Sequence, residues 1–161
     1  MKKLFVIVGV IVVIFVALAV ITNIQQKKAS EGNPFGKAVI HSETQKQLND
    51  PLYQNIILPD ELKESLETDV TNTIYFYSPL CDACKAASPI IVPAAEDMGV
   101  DLKLYNVLEF EQGWNDYNIR ATPTVIHFVN GQEVNRVEGY QSREFFDDWF
   151  EHIVEEETPA Q

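Results

Sequence analysis

Residues 71–85 read TNTIYFYSPLCDACK. The run TNTIYFY, Thr71 to Tyr77, is dense in β-branched and aromatic residues, which pack well on a pleated sheet and predict a strand. Ser78-Pro79 breaks it, because proline cannot donate to a ladder. A helical stretch is expected from Cys81 to about Met98. Strand, turn and helix therefore follow one another within a few residues, and the only two cysteines in the chain fall at the handover, with two residues between them.

Working outward, Asp101–Val107 (DLKLYNV) reads as the next strand, Glu109–Tyr117 as a weak helix, and Pro123–Val129 (PTVIHFV) as a strand. Asn130-Gly131 then carries the strongest short hairpin signal, linking that strand to Gln132–Glu138. Ser142–Val154 closes as an amphipathic helix with Phe145, Phe146, Trp149, Phe150 and Ile153 on one side. Upstream, Tyr53–Leu58 reads as a short strand and Pro59–Glu67 as a helix opened by proline. The order βαβαβαββα implies an α/β fold, with a central mixed sheet flanked by helices on both faces.

Before this domain lies an apolar block. From Leu4 to Ile21 every residue is apolar or glycine, 18 in a row. Such a helix rises about 27 Å, close to the roughly 30 Å hydrocarbon core of a bilayer. Residues 1–24 are thus expected as a transmembrane anchor, with Lys2 and Lys3 favouring a cytoplasmic N-terminus and Lys27 and Lys28 opposing that bias. Ala17-Leu18-Ala19 also fits a signal-peptide cleavage site, but cutting there would fall inside the apolar run. An uncleaved anchor is the favoured reading. Residues 25–50 mix Gly, Pro, Ser and charges without a period and read as a polar linker, followed by a domain over 51–157 and a tail over 158–161.

All 24 acidic residues lie after residue 30, against eight of the 12 basic ones, so residues 29–161 carry a net charge of −16. That balance argues against a nucleic-acid surface, where phosphates would be repelled.

A disulfide closing so small a loop as Cys81 to Cys84 would stabilise the fold by only about 2 kcal/mol, against roughly 3 for a 15-residue loop. A metal site would need two further ligands. The available imidazoles, His41, His127 and His152, are scattered, and no second close cysteine pair exists, so no metal is expected. A redox role suits the placement better. Free N–H groups at the first turn of a helix stabilise a thiolate on the more exposed Cys81, the expected nucleophile. Cys84, one turn in, is placed to resolve a mixed disulfide held on Cys81. Of the flanking residues Leu80, Asp82, Ala83 and Lys85, the lysine favours the thiolate and Asp82 opposes it.

With these motifs in place the chain resembles the thioredoxin family over roughly residues 55–156. YFYSPLCDACK (75–85) resembles the family's strand and CxxC-Lys, and Pro89 matches the proline of its active-site helix. YNIRATPTVIHFVNGQEVNRVEGY (117–140) resembles the stretch from before the cis-proline loop through the terminal hairpin. The resemblance implies a thioredoxin fold, no cofactor beyond a redox-active Cys81–Cys84 disulfide, and a substrate-binding role for Thr122, a cis Pro123 and Gly139. The chain departs from the pattern at Tyr75, where the family carries a buried Asp, at Leu80 in place of Trp, and at Asp82-Ala83 in place of Gly-Pro.

Two functions of different class follow. One is a membrane-anchored thiol–disulfide oxidoreductase with an extracytoplasmic domain, acting reductively on exported proteins and served by a membrane or extracytoplasmic redox partner. The other is a non-catalytic adaptor that binds a partner in the groove. A cytoplasm-facing reductase requires an inverted anchor.

Overall fold

A computed structural model of the chain describes residues 2–68 and 70–157. Among them, helix α1 (Lys2–Ala29) is followed by α2 (Ser42–Gln47), a 3₁₀ turn (Pro51–Tyr53), α3 (Pro59–Leu66), β1 (Asn72–Tyr77), α4 (Asp82–Asp97), β2 (Leu102–Asn106), α5 (Gly113–Asp116), β3 (Thr124–Val129), β4 (Gln132–Glu138) and α6 (Arg143–Glu157). The strands form one sheet in the order β2-β1-β3-β4. β1 pairs parallel with β2 and antiparallel with β3, and β3 pairs antiparallel with β4. The sheet is mixed, as expected.

Period-two alternation along β1 divides the core. Tyr75 and Tyr77 face a cluster with Leu104, Val125, Ala87 and Ile91 of α4, and Phe146 and Phe150 of α6. Ile74 and Phe76 face the other way, onto Tyr105, Ile126, Phe128 and Leu62 of α3. Every residue of β1 is buried. A central strand covered on both faces must be apolar at both parities, which explains the unbroken TIYFY run.

Three expectations need correction. Tyr53–Leu58 is not a strand. Asp50 accepts the Leu52 N–H and Pro51 opens a 3₁₀ turn ending at Tyr53, while Pro59 starts α3, so little extended chain remains between them. What survives is a single parallel bridge, Ile56 to Leu104. The weak helix expected over Glu109–Tyr117 shrinks to Gly113–Asp116. Its first residues are instead held in a turn, where the Asn106 side chain accepts the N–H groups of Leu108 and Glu109.

The third correction concerns residues 25–50. Helix α1 continues through residue 29, and beyond it the chain is not a free linker but a strap laid on the domain, with Ser30, Phe35, Ile40 and Thr44 buried. The reason is a buried carboxylate. Glu109 Oε1 accepts the His41 N–H at 2.8 Å and the Thr44 hydroxyl at 2.7 Å, and Glu109 Oε2 lies 3.4 Å from Lys37 Nζ. Phe35 adds a ring contact with Phe110 at 6.2 Å. The apolar stretch Ile7–Gln25 of α1, in contrast, has none of its surface buried against the domain. The expected 158–161 tail lies outside the described residues.

Asn130 and Gly131 both have positive φ, as the tight hairpin turn requires. Gly131 is bound by more than its torsion, since a Cβ there would sit 2.0 Å from the Leu66 carbonyl oxygen at the end of α3. Gly131→Ala is therefore expected to destabilise the domain by roughly 2–4 kcal/mol through forced separation of hairpin and helix. Urea denaturation reads this as a lowered midpoint with an unchanged slope. An unmoved midpoint would mean that the turn does not press on α3.

Candidate redox site

The two cysteines sit where β1 hands over to α4, both as free thiols. Cys81 is the N-cap of α4, in an extended conformation, and its sulfur accepts the Cys84 N–H at 3.1 Å. The first turn of a helix has backbone donors without intrahelical acceptors, and the sulfur takes the place a capping oxygen would hold. Cys81 is partly exposed, whereas Cys84 is 1% exposed within the core cluster. Burial, chiefly, pushes the Cys84 thiol up to about 12, because a thiolate there would lose its hydration.

From across the fold, the Thr122 carbonyl meets the Cys81 sulfur at 3.2 Å. The Thr122–Pro123 peptide bond is cis. Gly139, with φ +83°, donates its N–H to the Pro123 carbonyl at 2.8 Å, so the end of β4 lies beside this loop. The adjacent Thr122 and Pro123, together with Gly139 just past β4, are distant in sequence from the cysteines and are thus brought to one edge of the site. Leu80 is 53% exposed and Tyr140 52% exposed, each next in sequence to one of these residues. Ala83 is exposed as well.

Asp82 and Lys85 pair with each other, with Nζ to Oδ1 at 3.0 Å, and the Asp82 hydrogen bond holds the lysine above its usual range. The opposed effects expected of these two charges on Cys81 are therefore largely spent on one another at the solvent edge.

Behind Cys84 lies a group that sequence reasoning did not assemble. Ser88, one turn further along α4, donates its hydroxyl to the Cys84 carbonyl at 2.9 Å. The Tyr75 hydroxyl lies 3.0 Å from Ser88 Oγ and donates to the same carbonyl at 3.4 Å. Its burial holds the Tyr75 phenol far above its usual range, so it remains neutral. The spacing of four between Cys84 and Ser88 was a readable signal, since such residues share a helix face. Tyr53, which stacks on Tyr77 at 5.2 Å, carried no comparable signal, as it reaches the cluster from before the first strand.

The three imidazoles do not converge on the cysteines. His41 caps α2 by accepting the Glu43 N–H, buried His127 on β3 bonds Thr73 at 2.9 Å, and His152 is exposed on α6. No cluster of three or more His, Cys, Asp or Glu suited to a metal ion occurs among the described residues.

The chain is 33% identical over 93 residues to the chloroplastic thioredoxin M4 of Arabidopsis thaliana, covering 56% of this chain and 48%, about half, of that relative. It is 30% identical over 94 residues to the thioredoxin of Rickettsia conorii, covering 57% of this chain and 90% of the relative. Among solved structures, the thioredoxin of Malassezia sympodialis superposes with a TM-score of 0.51 at 25% identity, over 61% of this chain and 86% of that one. A mutant thioredoxin from Halobacterium salinarum superposes with a TM-score of 0.52 at 24% identity, over 60% and 86%, and shares the fold. With residues 55–152 matching the thioredoxin family directly, the chain belongs to that family, whose members are in general thiol–disulfide oxidoreductases.

Proposed function

We propose that this protein is a membrane-anchored thiol–disulfide oxidoreductase that reduces disulfides of exported proteins through Cys81 and Cys84. The observation that carries the reading is the asymmetry of the pair. One sulfur is partly exposed and accepts a helix-terminal N–H, and the other is buried one turn behind it. The Cys81 thiolate attacks a substrate disulfide, forming a mixed disulfide and releasing one substrate thiolate. Cys84 then attacks the Cys81 sulfur, the intramolecular disulfide forms, and the second substrate thiol leaves. Two electrons pass from the dithiol to the substrate, and a membrane or extracytoplasmic redox partner returns them.

Thr122 and Gly139 flank the cysteines as substrate-binding backbone, with an extended segment of substrate as their natural complement. Leu80 and Ala83 supply uncharged surface at the rim. Reduction of insulin disulfides by the full chain with dithiothreitol as electron donor, compared with Cys81→Ala, tests the reading. Turnover that disappears in Cys81→Ala supports it, and a wild type without turnover favours the adaptor.

Helix α1 acts as the anchor, with the domain outside the cytoplasm. The length and apolar composition of Ile7–Gln25 support the anchor, and Lys2 and Lys3 before it support the orientation. Intact-mass measurement of the membrane-fraction protein is expected to show residues 1–24 retained. A new terminus at Val20 would mean a cleaved signal and a released domain. The net charge of −16 on residues 29–161 would bias clients towards neutral or basic proteins, less so as salt shortens the Debye length.

A further inference from the structure

The strap of residues 30–53 precedes the part of the chain that matches the family. Its fixation is extensive. Ser30 Oγ accepts the Ile40 N–H at 3.1 Å, and the Asn33 side chain accepts the Phe35 N–H and donates to the Lys37 carbonyl. Lys37, Thr44 and the His41 backbone converge on the buried Glu109. Lys37 Nζ also lies 4.8 Å from the centre of the Phe110 ring. The gap left between the strap and Tyr77, lined by Phe35, Thr44, Leu48 and Tyr53 among others, is about 10 Å³. That is at the limit of what a single water needs.

What the strap delivers is Tyr53. The Asp50-capped 3₁₀ turn aims this ring onto Tyr77 at 5.2 Å and into the cluster that holds Tyr75, Ala87 and Cys84. Its hydroxyl lies close enough to Ser88, the residue that donates to the Cys84 carbonyl, to feel that side chain. We infer that the strap is a working part of the redox centre, and that Tyr53 is a positioning residue which keeps water and charge away from the resolving thiol of Cys84.

This inference rests on the proposed redox role for its biological meaning, but its physical content concerns the ionisation of Cys84. The titratable or charged groups placed around that thiol are Cys81, Asp82 and Lys85 at the start of α4, Tyr75 and Tyr77 from β1, and Tyr53 from the strap. Glu43 lies in α2, near enough for Lys85 to respond to its charge. Asp82 and Lys85 are paired at the surface, and Glu43 pairs with Lys46. The groups packed within the core around Cys84 are thus neutral phenols, and Tyr53 is the one that the strap can withdraw.

The test is the pH dependence of iodoacetamide alkylation of Cys84 in the full chain in detergent, in a Cys81→Ser background. Removing the ring with Tyr53→Ala is expected to lower the midpoint by at least about one pH unit and raise the rate at pH 8 about tenfold, since the reactive species is the thiolate. Tyr53→Phe, which keeps the ring, should stay within about threefold of the parent. The double variant Lys37→Ala/Glu109→Gln loosens the strap without touching the cluster, and should shift the profile in the same direction as Tyr53→Ala. Circular dichroism establishes that each variant is folded; if Tyr53→Ala is not, the strap variant decides. A folded Tyr53→Ala or strap variant that titrates like the parent overturns the inference, as does a Tyr53→Phe shift equal to that of Tyr53→Ala. Insulin reduction by the wild type is measured alongside. Its absence would count against the redox reading while leaving the alkylation result to judge Tyr53.

Discussion

Cys84→Ser is expected to accumulate client proteins covalently on Cys81, whereas Cys81→Ser should yield few adducts although one thiol remains. Cys84→Ser leaves the capping sulfur and its donors in place, so attack on a client disulfide proceeds and the mixed disulfide has no internal exit. In Cys81→Ser the surviving thiol is 1% exposed, and the burial that chiefly raises it remains. Both access and ionisation then oppose attack.

The size of the effect follows from competition between intramolecular and external thiols. Effective molarities for well-placed intramolecular groups reach about 10⁵–10⁸ M. A thiol near 12 is ionised to a fraction of only about 10⁻⁵ at pH 7, so Cys84 presents the equivalent of roughly 1–10³ M thiolate. One millimolar of an ordinary external thiol presents about 3 × 10⁻⁵ M thiolate at that pH. Resolution by Cys84 should therefore outrun external reductant by roughly 10⁴-fold or more. Non-reducing gels of membrane extracts would show client ladders in Cys84→Ser that vanish with dithiothreitol. Equal trapping by both variants would remove the assigned roles.

The second large expectation concerns pH. Because the Cys84 thiol is held up to about 12 by burial, the resolving step should accelerate about tenfold per pH unit from pH 7 to 10, a total of roughly 10³. Attack of Cys81 on the client is a separate step, so the slope belongs to single-turnover decay of a preformed mixed disulfide. Stability should move the opposite way. The folded state holds the Cys84 proton more tightly than the unfolded chain, whose cysteine titrates near 8.5. The contribution of the neutral thiol is thus fully present below about pH 8.5 and is lost as pH rises towards 12. Stopped-flow decay across pH 7–10 tests the first part. A plateau near pH 8 would show that a base other than Cys84's own ionisation governs the step.

Much of the domain was legible because its signals are local. The TIYFY run, the proline that opens α3, the Asn130-Gly131 turn and the aromatic face of α6 each report on a few neighbouring residues, whose backbone preferences survive into the fold. The placement of Cys81 at a helix start was equally local, and the pair was readable for that reason. Misreadings arose where a distant partner outweighed local pattern. Tyr53–Leu58 has strand-like composition, yet Asp50, Pro51 and Pro59 compress it, and one bridge to Leu104 is all the sheet retains. Residues 25–50 are polar by composition and read as linker, because nothing in their sequence reveals that a carboxylate about 70 positions later accepts their N–H and hydroxyl groups.

By itself, then, the sequence determined the apolar helix, the strand and helix order around the cysteines, and which sulfur caps α4, since each follows from torsional preference, hydrophobic period or helix-end chemistry within a few residues. Tertiary structure alone decided that Thr122, Pro123 and Gly139 meet beside Cys81, that Tyr75 and Ser88 converge on the Cys84 carbonyl, and that the strap places Tyr53 in the cluster that holds Cys84. Those contacts join segments separated by tens of residues, and burial of apolar surface with satisfaction of buried polar groups selects them only when the whole chain has folded.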